Sequence, residues 1–262
     1  MESMLLSGEY VQTAHPNTHH YHDCHQILCI IQGQADVTVN GIHYTAGQGD
    51  LVIFSRFETH SVTATSREYA RYVLQIAPLS APKTQTEYQL FSVLSNRPAG
   101  FTHVLHVPEA AQIAQRMVNE LQAPGHFSRE LQDLFLQELL ILIYRHCPVA
   151  APEGNTKMEM VAKVQSLFAS DICTQYTLDM LAEHLNVSKS SLAHEFKRVT
   201  GMPVMEYLLS CRLAAAKKQL VSTGDSIGKI VEDCGFTDSS NFSRTFRKMT
   251  GLSPSNFRKK YR

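Results

Sequence analysis

Residues 226–262 read SIGKIVEDCGFTDSSNFSRTFRKMTGLSPSNFRKKYR. Apolar residues recur at helical spacing in Ile227, Ile230, Val231 and Cys234, Gly235 interrupts them, and the pattern resumes at Phe242, Phe246 and Met249. The spacing predicts a helix, a short turn and a second helix. Asp238 or Ser239 is placed to cap the second helix. Its apolar face of Phe242, Phe246 and Met249 leaves Ser239, Ser240, Asn241, Arg244, Arg247 and Lys248 outside. Hydroxyls, an amide and arginines on one face suit a major groove, where they reach base edges and phosphates. A lone amphipathic helix with a solvated charged face would read the same way.

A repeat about 50 residues upstream separates the two readings. Leu178, Leu181, Ala182, Leu185 and Val187 match Ile227, Ile230, Val231, Cys234 and Phe236, and FKRVTG from Phe196 matches FRKMTG from Phe246. The turn is one residue longer in the second copy, and Tyr207 and Phe257 close the copies at the same offset. Core packing alone gives no reason for two such units in tandem, each with a basic second helix.

The stretch GFTDSSNFSRTFRKMTGLSPSNFR, with the weaker LNVSKSSLAHEFKRVTGMPVMEYL before it, resembles the DNA-binding domain of the AraC/XylS family of bacterial transcription regulators. The resemblance covers about 105 residues, from near Thr156 to the end. It implies double-stranded promoter DNA as a partner, and RNA polymerase as a second. Ser239, Ser240, Asn241 and Arg244 are then the base readers of the second unit, with Arg247, Lys248, Arg258 and Lys259 on phosphates. In the first unit Ser190 and His194 take the base positions and Lys189 and Lys197 the phosphate positions. Ala193 stands where the family often has a longer polar side chain, so weaker base reading is expected there.

Formal net charge is zero over 262 residues, which by itself argues against a nucleic-acid binder. Divided at Gly154 the chain tells another story: 8 Lys+Arg against 14 Asp+Glu before it, and 16 against 10 after it. An acidic half joined to a basic half fits a sensor attached to a nucleic-acid-binding module. No apolar run has the length of a membrane span and the N-terminus has no signal-peptide pattern, so a cytoplasmic protein with no membrane partner is expected. Six cysteines lie scattered without CxxC spacing, which predicts free thiols, most of them buried. Cys24 and Cys29 as a redox or metal pair is the alternative.

Residues 1–80 read as strands. Ile27 to Ile31 is an apolar run, Ala35, Val37 and Val39 alternate with polar residues, and Asn40-Gly41 predicts a type I′ hairpin turn into Ile42 and Tyr44. Further strands follow at 51–54 and 69–76, giving a small barrel or jelly roll. His20-x-His22, then Gln26 and Gly33, keep the spacing of the first cupin motif, and Gly49 with His60 that of the second. The chain therefore resembles a cupin barrel, with Gln26 in place of the motif's glutamate and Ser55 and Phe57 in place of its proline and glycine. The resemblance implies two uses for His20, His22 and His60. Either they hold a divalent metal such as Zn, Fe, Ni or Mn, or they line a polar pocket for a small organic effector such as a sugar. Gln26, Arg56 and Tyr72 are further candidates for the effector, as is Arg71. His15, His19 and His25 are expected at the surface or rim.

After a break at 78–83 (PLSAPK), helices are expected over 87–95, over 108–121 with Pro108 near its first position, and over 128–146 capped by Ser128. The last carries Leu131, Leu134, Phe135, Leu139, Leu142 and Ile143 on one stripe, broadened by Leu136, Leu140 and Ile141. A helix apolar nearly all round must be covered either within its own domain or by a second subunit, and the family resemblance implies a homodimer. The expected architecture is α+β: a cupin-like effector barrel over 1–82, its helical dimerisation part over 83–147, a linker over 148–155 and an all-α domain with two helix-turn-helix units over 156–262. A helix over 204–220, about 25 Å long, should space the two units. The function this implies is an effector-controlled DNA-binding regulator, an activator by family resemblance. The alternatives are a metal-responsive regulator, a cupin metalloenzyme with a localising basic domain, and a constitutive DNA binder whose barrel only dimerises.

Overall fold

Period-two alternation at the N-terminal end resolves, in the computed structural model, into β1 (Leu5–Val11), β2 (His25–Gln32), β3 (Gln34–Val39), β4 (Ile42–Gly47), β5 (Asp50–Phe54), β6 (His60–Ala64) and β7 (Ala70–Ile76). The structure describes residues 4–12, 20–78, 84–94, 102–147 and 156–262. His15, His19, most of the 78–83 break and the whole 148–155 linker lie outside them. Two units form, one within 1–154 and the other of 155–198 and 202–262.

In the first unit the strands make two antiparallel sheets. One has the order β1-β7-β2-β5-β8, the last strand being Val104–His106, and the other β4-β3-β6. The turn between β3 and β4 is the expected one: Val39 pairs with Ile42, and Asn40 and Gly41 both take positive φ, 50° and 83°. Strand β2 explains why Ile27 to Ile31 shows no polar alternation. Leu28 and Ile30 join Val37, Val39, Val52, Phe54 and Val62 between the sheets. Ile27 and Cys29 face the other way, with Leu51, Ile53, Leu74 and Ile76, toward a layer of helices. A strand covered on both faces reads as an unbroken hydrophobic run.

The helices differ from expectation at their ends. Helix α1 (Gln85–Ser92) starts two residues early because the Thr84 hydroxyl accepts from Glu87 N. Strand β8 (Val104–His106), which pairs with β5, was not visible: three residues are too few to show a period. Helix α2 (Ala110–Gln122) starts after Glu109, and Pro108 sits in the preceding turn rather than at the first helical position. Helix α3 (Ser128–His146) has Phe127, at φ 61°, as its cap. Ser128 is its first residue, and the Ser128 hydroxyl bonds Glu120 O instead of capping. Leu136, Leu139, Leu140 and Ile143 of α3 pack with Ile113, Met117 and Val118 of α2 onto the five-stranded sheet. Leu131, Leu134 and Ile141 do not join this core and are 37%, 58% and 39% exposed.

The second unit runs α4 (Thr156–Ser170), α5 (Leu178–His184), α6 (Lys189–Thr200), α7 (Val204–Ser222), α8 (Ile227–Asp233), α9 (Ser239–Thr250) and α10 (Pro254–Tyr261). Helix α7 belongs to two cores. Near its start Tyr207 packs on Phe168 of α4 and Phe196 of α6. In its second half Leu213, Ala216 and Leu220 close over Ile230, Val231, Phe242 and Phe246. It runs 19 residues, about 28 Å.

Candidate nucleic-acid interface and histidine cluster

The two helix pairs are built alike, residue by residue. Thr177 and Ser226 cap α5 and α8, each hydroxyl accepting from the N–H three residues on. Both helices end with a left-handed residue, Asn186 at φ 52° and Gly235 at φ 74°. The N–H groups of these residues bond Glu183 O and Glu232 O, and the next N–H groups reach back to Ala182 O and Val231 O. Ser188 and Asp238 then cap α6 and α9. The Asp238 carboxylate accepts from both Ser240 N and Asn241 N, at 3.0 and 2.9 Å. Its negative charge lies at the positive end of the helix dipole.

On α9, Phe242 and Phe246 are fully buried, and Ser239, Ser240, Asn241, Arg244, Arg247 and Lys248 are all exposed. Met249 departs from the expected apolar face: it is 38% exposed. Arg244, Arg247 and Lys248 line an open groove with Ser243, Gly251 and Ser253. On α6, Lys189, Ser190, His194 and Lys197 are likewise exposed, but the local charges are partly used. Lys189 pairs with Asp179, and His194 lies 3.4 Å from Glu195, which also holds Arg198. Arg258 is corrected from phosphate contact to structural clamp. Its guanidinium donates to Leu220 O and Asp225 O, tying α10 to the end of α7. Arg212, inside α7, does the same for Ile172 O and Thr174 O. Sequence spacing gave no sign of either role.

In the first unit, chain geometry brings His20, His22 and His60 together. His20 and His60 form an isolated antiparallel bridge and exchange both backbone bonds, at 3.0 and 2.8 Å. His22 follows two residues on. The ligand nitrogens of the three lie within 4.8 Å of one another. His60 is 2% exposed, stacks on Phe54 at 3.9 Å, and holds Glu58 O at 2.9 Å through Nδ1. A carbonyl only accepts, so Nδ1 carries the proton and Nε2 the lone pair. Burial drives the His60 pKa down to about 3, so the ring is neutral; His20 and His22 push the same way and the Glu58 carbonyl opposes them. Its buried Nε2 has no hydrogen-bond partner among the described residues. Gln26, 8% exposed, has Nε2 3.5 Å from His22 Nε2.

Of the other expected effector residues, Tyr72 is turned away from this cluster. Tyr72 packs with the helix-facing core and against Tyr10, because position 72 takes the opposite face of β7 from Val73. Arg56 is turned to Asp23 at 2.6 Å and lies over Phe57. His25 is 8% exposed, not at the rim, and its Nδ1 accepts from Arg56 N. Phe57 has φ 64°. That is the glycine-favouring conformation, at the position where the cupin motif has glycine. Buried Glu58, whose carboxylate accepts from Ser55 N at 2.7 Å, was missed because one acidic residue in a loop carries no spacing signal. None of the six cysteines forms a disulfide, five of them are buried, and burial pushes the Cys29 thiol up to about 12.

A model of the AraC-like ligand binding domain matches residues 5–140, and one of a helix-turn-helix domain matches 181–260. The chain belongs to the AraC family. It is a regulator with an N-terminal ligand-binding domain and a C-terminal DNA-binding domain. Among similar proteins, the transcriptional activator RhaR of Shigella dysenteriae serotype 1 is 25% identical over 91% of this chain and 86% of its own. RhaR of Escherichia coli K12 is 24% identical over the same shares. The AraC-family fold is also that of ToxT from Vibrio cholerae O395, at TM-score 0.62 and 16% identity over 97% of both chains. A ToxT structure with bound unsaturated fatty acid aligns at TM-score 0.60 and 16% identity, over 96% of this chain and 93% of that one. No helix among the described residues is long and apolar enough to cross a membrane.

Proposed function

We propose that the protein is a cytoplasmic, promoter-specific transcriptional activator that works as a homodimer and recruits RNA polymerase under control of a small molecule in its N-terminal domain. The observation that carries the DNA reading is the repeated helix pair. Two like-capped units share α7, and each turns a basic, base-reading face outward. Arg244 is the strongest base reader, since an exposed arginine one turn into such a helix can take a guanine edge with two hydrogen bonds. Ser239, Ser240 and Asn241 flank it, and Arg247 and Lys248 along the groove take phosphates. Ser190 and His194 read weakly, with Lys189 and Lys197 on the backbone.

Dimerisation is supported by the uncovered side of α3. Phe127, Leu131, Leu134, Glu138, Ile141 and Arg145 recur at alternating spacings of four and three, the period of a two-helix seam. A second copy laid antiparallel sets Leu131 opposite Ile141, Leu134 opposite the stem of Glu138, and Phe127 opposite Arg145. The effector, by the polarity of His20, His22, Gln26 and His60, is a polar small molecule such as a sugar. RhaR relatives carry the name of activators, and this supports the same sign of regulation here.

Genome-wide selection of bound fragments, followed by footprinting, tests the DNA reading. Arg244→Ala should weaken the selected site by about 1–3 kcal/mol, roughly 5- to 150-fold, and relax its preference at a guanine. His194→Ala should cost less. Unchanged affinity and sequence preference in Arg244→Ala removes the assignment.

A further inference from the structure

We infer that His20, His22 and His60 bind one divalent late first-row transition ion, and that the N-terminal domain senses either this ion or a ligand coordinated to it. The inference goes beyond the regulator reading and rests on it only for the link to DNA.

Two observations carry it. First, the rings are spaced as ligands of one ion would be. An ion about 2.1 Å from an imidazole nitrogen lies about 3.2 Å from the ring centre. Two such rings at 90–110° then have centres about 4.5–5.3 Å apart. The observed separations are 4.8 Å for His20–His22, 4.6 Å for His20–His60 and 5.3 Å for His22–His60. The ligand nitrogens, within 4.8 Å of one another, would close to about 3.0–3.4 Å around the ion. Second, His60 is prepared as a ligand. Its Nδ1–H is fixed on the Glu58 carbonyl, the arrangement that orients metal-bound histidines and sets their tautomer. Its lone pair on Nε2 is buried and has no partner among the described residues.

The donor set selects the class of ion. Three neutral imidazoles suit zinc, cobalt, nickel, copper or iron and discriminate against calcium and magnesium, which require oxygen donors. Gln26, standing where a cupin has its anionic glutamate, adds an amide and no charge. The ion would therefore keep its full double positive charge and open coordination positions. Those positions favour oxygen donors, so a polar small molecule that chelates through neighbouring oxygens, hydroxyls of a sugar or a carboxylate beside a hydroxyl, is the organic ligand this centre would take.

The test uses full-length protein purified without a histidine tag, stripped with a chelator and dialysed against zinc or cobalt(II). The expected result is one ion per chain, visible d–d bands of nitrogen-bound cobalt, and a raised melting temperature of the N-terminal domain. His60→Ala should lower affinity by about 100-fold or more, beyond the 10–100-fold typical of losing a supporting partner. His60 is buried and its replacement can disturb folding, so His20→Ala and His22→Gln, on half-exposed positions, provide the second arm; both should keep the far-UV spectrum and lose the cobalt bands. Less than 0.1 ion per chain in the wild type, or equal loading in all three variants, overturns the proposal. DNA affinity is measured on the same samples with and without metal. Loss of metal with sequence-specific DNA binding intact sinks this inference alone, whereas failure to select any DNA sequence sinks the regulator reading independently of the metal.

Discussion

Replacing Gly235 by alanine should be the most damaging single-methyl change in the second domain. Gly235 is at φ 74°, and a Cβ there would lie 2.6 Å from Ile172 O, 2.9 Å from Arg212 Nε and 3.0 Å from Cys173 Cα. Two of these are backbone atoms, and the third belongs to the guanidinium that already bonds Ile172 O and Thr174 O. The methyl group therefore has no flexible neighbour to displace. A left-handed conformation costs an L-residue about 1–2 kcal/mol, and forced repacking adds about 1–3 kcal/mol. A total on the order of 2–5 kcal/mol follows. At about 4–8 °C per kcal/mol for a domain of this size, melting should fall by on the order of 10 °C or more. The equivalent position in the first unit supplies the control. Asn186 occupies the same turn at φ 52° with its Cβ already accommodated, so Asn186→Ala should cost only about 1 kcal/mol. Denaturation of the full chain, followed domain by domain through hydrogen exchange, separates the two transitions. The reasoning fails if Gly235→Ala melts within about 2 °C of wild type, or if Asn186→Ala is the more harmful of the pair.

The other expectations are shorter. Asp238→Ala removes a carboxylate from two N–H groups at the start of α9 and should cost about 1 kcal/mol of stability, with a larger proportional loss in DNA affinity than in melting temperature. Arg258→Ala should lower the stability of the second domain by about 1–3 kcal/mol without changing the bases preferred, because its two acceptors are the protein's own carbonyls; a shift in selected sequence would return it to the DNA surface. Leu134→Glu, on the uncovered side of α3, should leave the N-terminal domain folded and convert dimers to monomers in analytical ultracentrifugation. An unchanged sedimentation coefficient would move the dimer contact elsewhere.

Much of this was legible because it is periodic. Phe242 and Phe246, the Asn40-Gly41 turn and the 50-residue repeat are spacing signals, and spacing survives without knowledge of partners. The histidine cluster was legible for a related reason: a residue pair two apart plus one cross-strand partner needs only register to converge. What escaped was decided by single contacts. Tyr72 could be put on a strand but not on a face, and it took the helix side. Arg258 looked like a cation for phosphate and is consumed by two carbonyls of its own domain. Met249 has helical spacing but sits where the core already ends. The ends of α2 and α3 were misjudged because Pro108 and Ser128 are residue types common at helix starts, yet a turn closed by Val107 O and a left-handed Phe127 do the work at those ends.

Because α7 is one unbroken helix with a foot in each core, the two helix-turn-helix units are related by an angle as firmly as by a distance. One residue inserted in its middle would advance the second unit by only about 1.5 Å but swing it through about 100° around the axis. Seven residues would nearly restore the angle and lengthen the helix by about 10 Å. The separation of the two recognition segments is therefore quantised, and no small adjustment of α7 can move them gradually from one DNA spacing to another. A regulator of this build must meet a shifted binding site by altering the side chains that read it, or by using one of its two units alone.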